Sequence, residues 1–304
     1  MPVLVQALVP VFALIMMGYL LRRWNFPGEG FWLQAERFTY YVLFPPMLVY
    51  KLGQARIPPS AYGDVFALVV GMLLAMTVVL VVVRFVWRWP GPVYSSVFQG
   101  ALRFNSYVAL ATAGILLGDD GLSMMAIVVA VKVPLINLLC ILMFSLVARQ
   151  EPVRFKPVFK AIVTNPLIIG SVLGVFWSYF EIGFHPLLAG VLAPLSNVAL
   201  PLGLMTVGAG LQLKALRGAS TPFLVSSVVK LVGFPLITVG LGMLLGIDGL
   251  LLQVGILLTA LPTATSAYIL ARQLGGDAPL MAGIISGQTL LAMVSIPLML
   301  GLFW

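Results

Sequence analysis

The sequence predicts an all-α membrane protein: ten transmembrane helices in two inverted five-helix repeats, with broken helices crossing at the fourth and ninth positions. Three observations carry that prediction. Of 304 residues, 61% are hydrophobic and only 9% charged, with a mean hydropathy of +1.11, and a soluble chain of this length needs far more surface charge. The apolar sequence falls into ten stretches joined by short loops. The charges sit mostly in those loops, and the basic ones gather on one side, as membrane anchoring predicts.

The stretches run roughly over residues 3–21, 38–52, 65–86, 93–117, 122–148, 161–180, 187–213, 222–246, 249–272 and 280–303. The first is apolar from Met1 to Leu21, has no basic leader and is closed by Arg22 and Arg23, the reverse of a cleavable signal peptide. The second is the shortest and carries Pro45 and Pro46; the seventh carries Pro194 and Pro201. Prolines inside a span kink or interrupt it, and lipid tolerates this only where neighbours or a cavity satisfy the freed carbonyls. The fourth contains Arg103, Asn105 and Ser106, the fifth Lys132, the eighth Lys230, and the ninth the run Ala260–Ser266 with Pro262, Thr263 and Thr265. Gly170 with Gly174, and Gly242 with Gly246, have the small-xxx-small spacing of packed helices.

One set of loops and span ends collects Arg22, Arg23, Arg37, Arg84, Arg88, Arg149, Arg154, Lys156, Lys160, Lys214, Arg217 and Arg272, against Lys51 and Arg56 on the other. The positive-inside rule then places both termini on the non-cytoplasmic side of the cell (inner) membrane. It makes residues 149–160 a cytoplasmic connector between a first repeat, 1–148, and a second, 161–304. The net charge of +8 does not point to nucleic acid, because no basic, aromatic-laced face exists outside lipid. A single cysteine, Cys140, excludes an intrachain disulfide and a thiolate metal cluster, and the lone His185 falls in an outer loop; no cofactor is expected.

The halves resemble each other. Pro10 and Gly18 recur as Pro166 and Gly174, and Pro45 as Pro201, all displaced by 156 positions; Gly118–Asp119 recurs as Gly276–Asp277 at 158. Each half holds five spans, an odd number, so the second enters the membrane upside down. Inverted repeats with interruptions at matching places are the sequence pointer to a secondary transporter.

The displacement of 158 pairs Asn105 with Thr263 and Phe104 with Pro262. A span starting near Val93 puts Asn105 roughly 18 Å deep in a core about 30 Å thick, where polar groups usually mark a substrate path. Pro262 lacks an N–H and clashes with the preceding turn, so the ninth helix should part before it, with Pro262 at the head of the resumed helix. Asn105 and Ser106 are good N-caps. Two half-helices would then start near the midplane from opposite sides, offering unpaired N–H groups and positive dipole ends to an anion. Arg103 adds a guanidinium of carboxylate-binding geometry, while Lys132 and Lys230 lie about 15 Å and 13 Å into their spans. All nine acids, Glu36 among them, fall in loops or at span ends. Three unpaired intramembrane cations would cost roughly 8–10 kcal/mol on insertion scales, a cost that backbone carbonyls, water, deprotonation of a lysine or a bound anion must meet, the anion being the simplest.

Structural alternatives stand beside each role. Arg103 could snorkel or bind carbonyl ends; Asn105 and Ser106 could cap a kink; Pro262 could be an ordinary span kink; Thr263, Thr265 and Ser266 could bond to their own helix. Lys132 and Lys230 are assigned only a charge or coupling role.

Several motifs resemble the auxin efflux carrier family, which includes the plant PIN proteins and compact bacterial carriers of malate or malonate. They are Leu8–Phe12 with Met17–Arg23, Phe44–Pro46, Leu102–Asn105, Asn165–Pro166 with Gly174, Pro201–Gly203 with Val207–Gly210, Val229–Lys230 with Pro235, and Leu261–Thr263 with Ala271–Arg272. The resemblance covers the whole chain and implies ten spans in two inverted repeats. Spans one, two, six and seven would form a dimerising scaffold, and spans three to five and eight to ten a transport unit moving like an elevator. The family's crossover positions carry over to Asn105 and Pro262. Plant members have a second proline beside the fourth-span asparagine, where this chain has Phe104 and Ser106, and many have a long cytoplasmic loop that is absent here.

The reading is a secondary transporter of a small organic anion, a mono- or dicarboxylate of the malate or malonate kind, acting in the lipid bilayer as a homodimer. Arg103, Asn105, Ser106, Pro262, Thr263 and Thr265 would form its substrate site. Alternatives are a sodium-coupled carrier of the bile-acid symporter type and, from another class, a passive channel or membrane receptor. Paired aspartates, histidine metal motifs and serine–histidine pairs at membrane depth are all missing, which disfavours an enzyme.

Overall fold

The computed structural model describes residues 2–28, 30–55, 58, 61–147, 160, 163–218 and 220–304; Arg56 and all of the 149–160 connector but Lys160 lie outside them. Thirteen α-helices are found among the described residues: α1 Pro2–Arg23, α2 Phe31–Phe38, α3 Phe44–Gln54, α4 Ala61–Trp87, α5 Gly91–Leu102, α6 Ser106–Val147, α7 Pro166–Tyr179, α8 Pro186–Ala209, α9 Thr221–Val228, α10 Phe234–Leu245, α11 Gly249–Ala260, α12 Ser266–Leu274 and α13 Ala278–Phe303. The protein is an all-helical membrane protein, with six helical runs long and apolar enough to cross a bilayer. Helix α4 illustrates the solvent it is built for. It buries Leu68, Met72, Met76 and Leu80, yet its exposed side shows Phe66, Leu74, Val78, Val82 and Phe85. A helix apolar on both faces belongs in lipid.

The six long runs take in seven of the ten apolar stretches, and the second, sixth and ninth fall in shorter helices. The fourth and fifth stretches merge in α6, where Gly118, at φ 70° and ψ −161°, supplies a backbone turn that side-chain-bearing residues resist. Helices α2 and α3 are joined by a π turn, Thr39–Leu43, and α9 and α10 by another, Val229–Gly233. Each π turn ends at a Phe–Pro pair, Phe44–Pro45 and Phe234–Pro235. A wider turn removes the clash between the proline ring and the carbonyl behind it. The helix of α8, in contrast, continues through Pro194 and Pro201.

The second stretch begins earlier than hydropathy places it, at Phe31 rather than residue 38. The added turn, FWLQAERF, is amphipathic: Trp32 and Ala35 are buried, while Gln34 and Arg37 are exposed. Averaging over such a segment hides it, and Glu36 is carried into the helical bundle as a result.

Two groups of helices pack mainly among themselves. Helix α1 packs on α8, and α3 on α7 and α8; in the other group, α5 packs on α6, α9 and α13, and α10 on α4 and α11. Contact in the first group is close enough to need glycine. A Cβ on Gly208 would lie 1.7 Å from the Ile15 carbonyl oxygen, and one on Gly18 1.9 Å from that of Met205. Gly170 and Gly174 likewise meet Pro45 and Leu48 of α3, whereas of the other spaced pair only Gly242 packs, Gly246 being the left-handed cap of α10. Gly208→Ala is therefore expected to force α1 from α8, destabilising the protein by about 3 kcal/mol. An unchanged melting temperature in detergent would contradict that.

Candidate functional site

Helix α5 is buried from Tyr94 to Leu102 and stops there, with Arg103 in extended conformation (φ −72°, ψ 163°). The chain re-enters helix at Ser106, and the reason is Asn105. Its Oδ1 accepts hydrogen bonds from the N–H groups of Tyr107 (3.0 Å) and Val108 (3.2 Å), an N-cap at the head of α6. Helix α11 stops at Ala260, Leu261 is extended (φ −75°, ψ 152°), and helix resumes at Ser266. Pro262 therefore does not head the resumed helix, contrary to the expectation from its missing N–H. It lies in a five-residue non-helical segment, where its carbonyl accepts the Asn105 N–H at 2.9 Å. The two interruptions are hydrogen-bonded to each other directly.

Gln288, fully buried in α13, ties them together again. Its Oε1 accepts the Thr263 N–H at 3.0 Å, and its Nε2 donates to the Gly100 carbonyl at 3.1 Å and the Ser226 hydroxyl at 3.5 Å. One side chain thus satisfies backbone groups from both interrupted helices. Sequence reasoning passed over it, although a glutamine in the middle of an apolar stretch carries the depth signal that singled out Lys132.

A cavity of about 410 Å³ opens beside these interruptions, a volume suited to a small ligand. Arg103, Asn105, Ser106, Thr265 and Ser266 line it, together with Glu36, Arg37, Tyr40, Asn137 and Asn165. Pro262 and Thr263 do not; they lie behind its wall, and the buried Thr263 hydroxyl has no hydrogen-bond partner among the described residues. Arg103 does not snorkel. Its Nη1 donates to Asn137 Oδ1 at 2.9 Å and its Nη2 to Ser266 Oγ at 3.2 Å. These bonds hold the guanidinium between α6 and α12, and its Nε finds no partner among the described residues. Asn165 repeats the device of Asn105, capping α7 through Leu167 N–H (2.9 Å) while accepting the Tyr40 hydroxyl at 3.3 Å.

Two further features concern the charged groups. Glu36, placed by sequence in a loop or span end, lines the same cavity as Arg103, and its Oε1 accepts the Thr265 hydroxyl at 3.3 Å. The cavity thus holds a carboxyl group as well as a guanidinium. Lys132 and Lys230 do not reach the cavity. Both are fully buried and face aromatic rings: Lys132 Nζ lies 5.0 Å from the Phe104 ring centre and 4.6 Å from that of Phe234, and Lys230 Nζ lies 4.9 Å from Phe234. Neither amine has a hydrogen-bond partner among the described residues. Phe104 separates Lys132 from the cavity, so neither lysine is placed to touch a ligand there.

The family model described as "Membrane transport protein" matches residues 3–300, nearly the whole chain. The chain belongs to that family. It is the auxin efflux carrier family of the sequence resemblance, and its membership makes the chain a membrane transporter, not an enzyme. An "Uncharacterized transporter" from Methanothermobacter thermautotrophicus is 24% identical over 299 residues, covering 96% of each chain. A protein from Rhizobium meliloti named "Putative malonate transporter" is 24% identical over 284 residues, covering 88% of this chain and 85% of its own. The matched region includes both interruptions and every residue lining the cavity. A membrane transporter of this family moves a small molecule across a bilayer.

Proposed function

We propose that this transporter carries a small organic anion, a mono- or dicarboxylate of malonate size. The observation that carries this reading is Arg103: a guanidinium at an interrupted helix, on the wall of the cavity. Ser106 and Ser266, each at the start of a helix on the same wall, add hydroxyls and the positive ends of helix dipoles. The malonate named for the Rhizobium relative is of the same chemical class.

In this reading the ten apolar stretches are ten spans in two inverted repeats, residues 1–148 and 161–304, with α5–α6 and α11–α12 as the crossing pair. Spans one, two, six and seven (α1, α2–α3, α7, α8) serve as a dimerising scaffold against which the remaining helices slide in an elevator movement. With both termini outside the cytoplasm, Glu36, Arg37 and Asn165 fall at the cytoplasmic ends of their spans, so the cavity is open inward. At the opposite end Lys51 Nζ meets Asp119 Oδ1 at 2.7 Å, joining the scaffold to the turn at Gly118. That exposed pair contributes no more than about 1 kcal/mol, weak enough to open in each cycle.

Malonate is expected to raise the melting temperature of the detergent-solubilised protein, because a ligand at a hundred times its Kd adds about 2.7 kcal/mol. A panel of mono- and dicarboxylates should share the effect, and organic cations should lack it. Stabilisation by cations and by no carboxylate would overturn the proposal.

A further inference from the structure

We propose that Glu36 links substrate binding to protonation: its carboxylate faces the same cavity as Arg103 and takes up a proton from water when a dicarboxylate binds there. This rests on the anion reading above. Glu36 is the one acid lining the cavity among the described residues. It has no ion partner within salt-bridge distance, since Lys51–Asp119 is the only salt bridge among those residues. The charged and titratable groups that share the cavity with it are Arg37, Tyr40 and Tyr41 from its own span, Arg103 from the first interruption and Tyr107 from α6. Helix α8, which packs against α2, contributes none.

The chemistry follows from what a carboxyl group can offer in each state. Ionised, Glu36 only accepts, as it does from Thr265, and its charge opposes a second carboxylate in the same small space. Protonated, it becomes an O–H donor, and a hydrogen bond to a carboxylate oxygen is of the strong, charge-assisted kind. A dicarboxylate held at one end by Arg103 would thus bring a proton to Glu36 at the other. The proton returns to water from Glu36 when the anion leaves. Glu36 sits in the scaffold group and Thr265 in the second interruption, so their contact must break when the two groups move past one another.

The test is proton uptake on malonate binding to the full-length protein in weakly buffered detergent, read with a pH indicator. Wild-type protein is expected to take up about one proton more per bound malonate than Glu36→Gln. Wild-type affinity should tighten by up to about tenfold per pH unit on acidification, beyond the change that malonate's own titration gives both proteins. Equal proton uptake by the two proteins would overturn the proposal. So would wild-type binding without proton uptake, a result that needs no variant to fold. Wild-type binding of an amino-bearing substrate that Glu36→Gln loses at every pH would make the carboxylate a ligand for cations instead. A wild type that binds no carboxylate at any pH would sink the anion reading itself, and this proposal with it.

Discussion

Arg103→Ala is expected to weaken malonate binding by roughly 30- to 100-fold, the factor that corresponds to losing about 2–3 kcal/mol of charge-assisted hydrogen bonding. The fold should tolerate the change. Asn137 and Ser266, the partners that Arg103 loses, both line the cavity, where water can replace it. Arg103→Lys keeps the charge and loses the planar fork, so it should fall between the two. Titration calorimetry of the three proteins with malonate separates these effects. Unchanged affinity in Arg103→Ala, at an unchanged melting temperature, would remove the arginine from the site and leave the anion reading without its main support.

Gln288→Leu is expected to have the largest effect on stability. The substitution nearly preserves volume but orphans the buried Thr263 N–H and the Gly100 carbonyl. Each unsatisfied backbone group costs about 1–3 kcal/mol, giving a loss of about 4 kcal/mol and a fall on the order of 10 °C in melting temperature. Uptake should suffer beyond the loss of folded protein, because the Asn105–Pro262 contact would be the only described backbone bond left between the two interruptions. Gln288→Glu keeps an acceptor for Thr263 and loses the donor to Gly100, so comparing the two variants apportions the bonds. A melting temperature within a degree or two of wild type would show that the interruptions hold each other without the glutamine.

Most of the helical architecture was legible because lipid imposes one simple rule, that spans be apolar. Ten stretches, the break after Leu102 and the break near Pro262 all follow from hydropathy plus the chemistry of proline and asparagine caps. Side-chain partners were harder to read. Lys132 and Lys230 stood out as cations inside spans, but nothing in one dimension reveals that Phe104 and Phe234 stand against them. Thr263 looked like a ligand by its spacing from Asn105, yet its backbone, not its hydroxyl, is what the structure uses.

By itself the sequence determined the solvent, the helical class, the family and the two places where helix gives way, since each depends on composition or on a residue's own backbone chemistry. Only the tertiary structure decided which polar groups share a cavity. Glu36 lies 67 positions before Arg103 in the chain and Ser266 a further 163 beyond it. Packing at that range is set by glycine contacts such as Gly208 on Ile15 and by an amphipathic turn that hydropathy averages away. For that reason the arginine beside the interruption could be read from the chain, and the carboxyl group that shares its cavity could not.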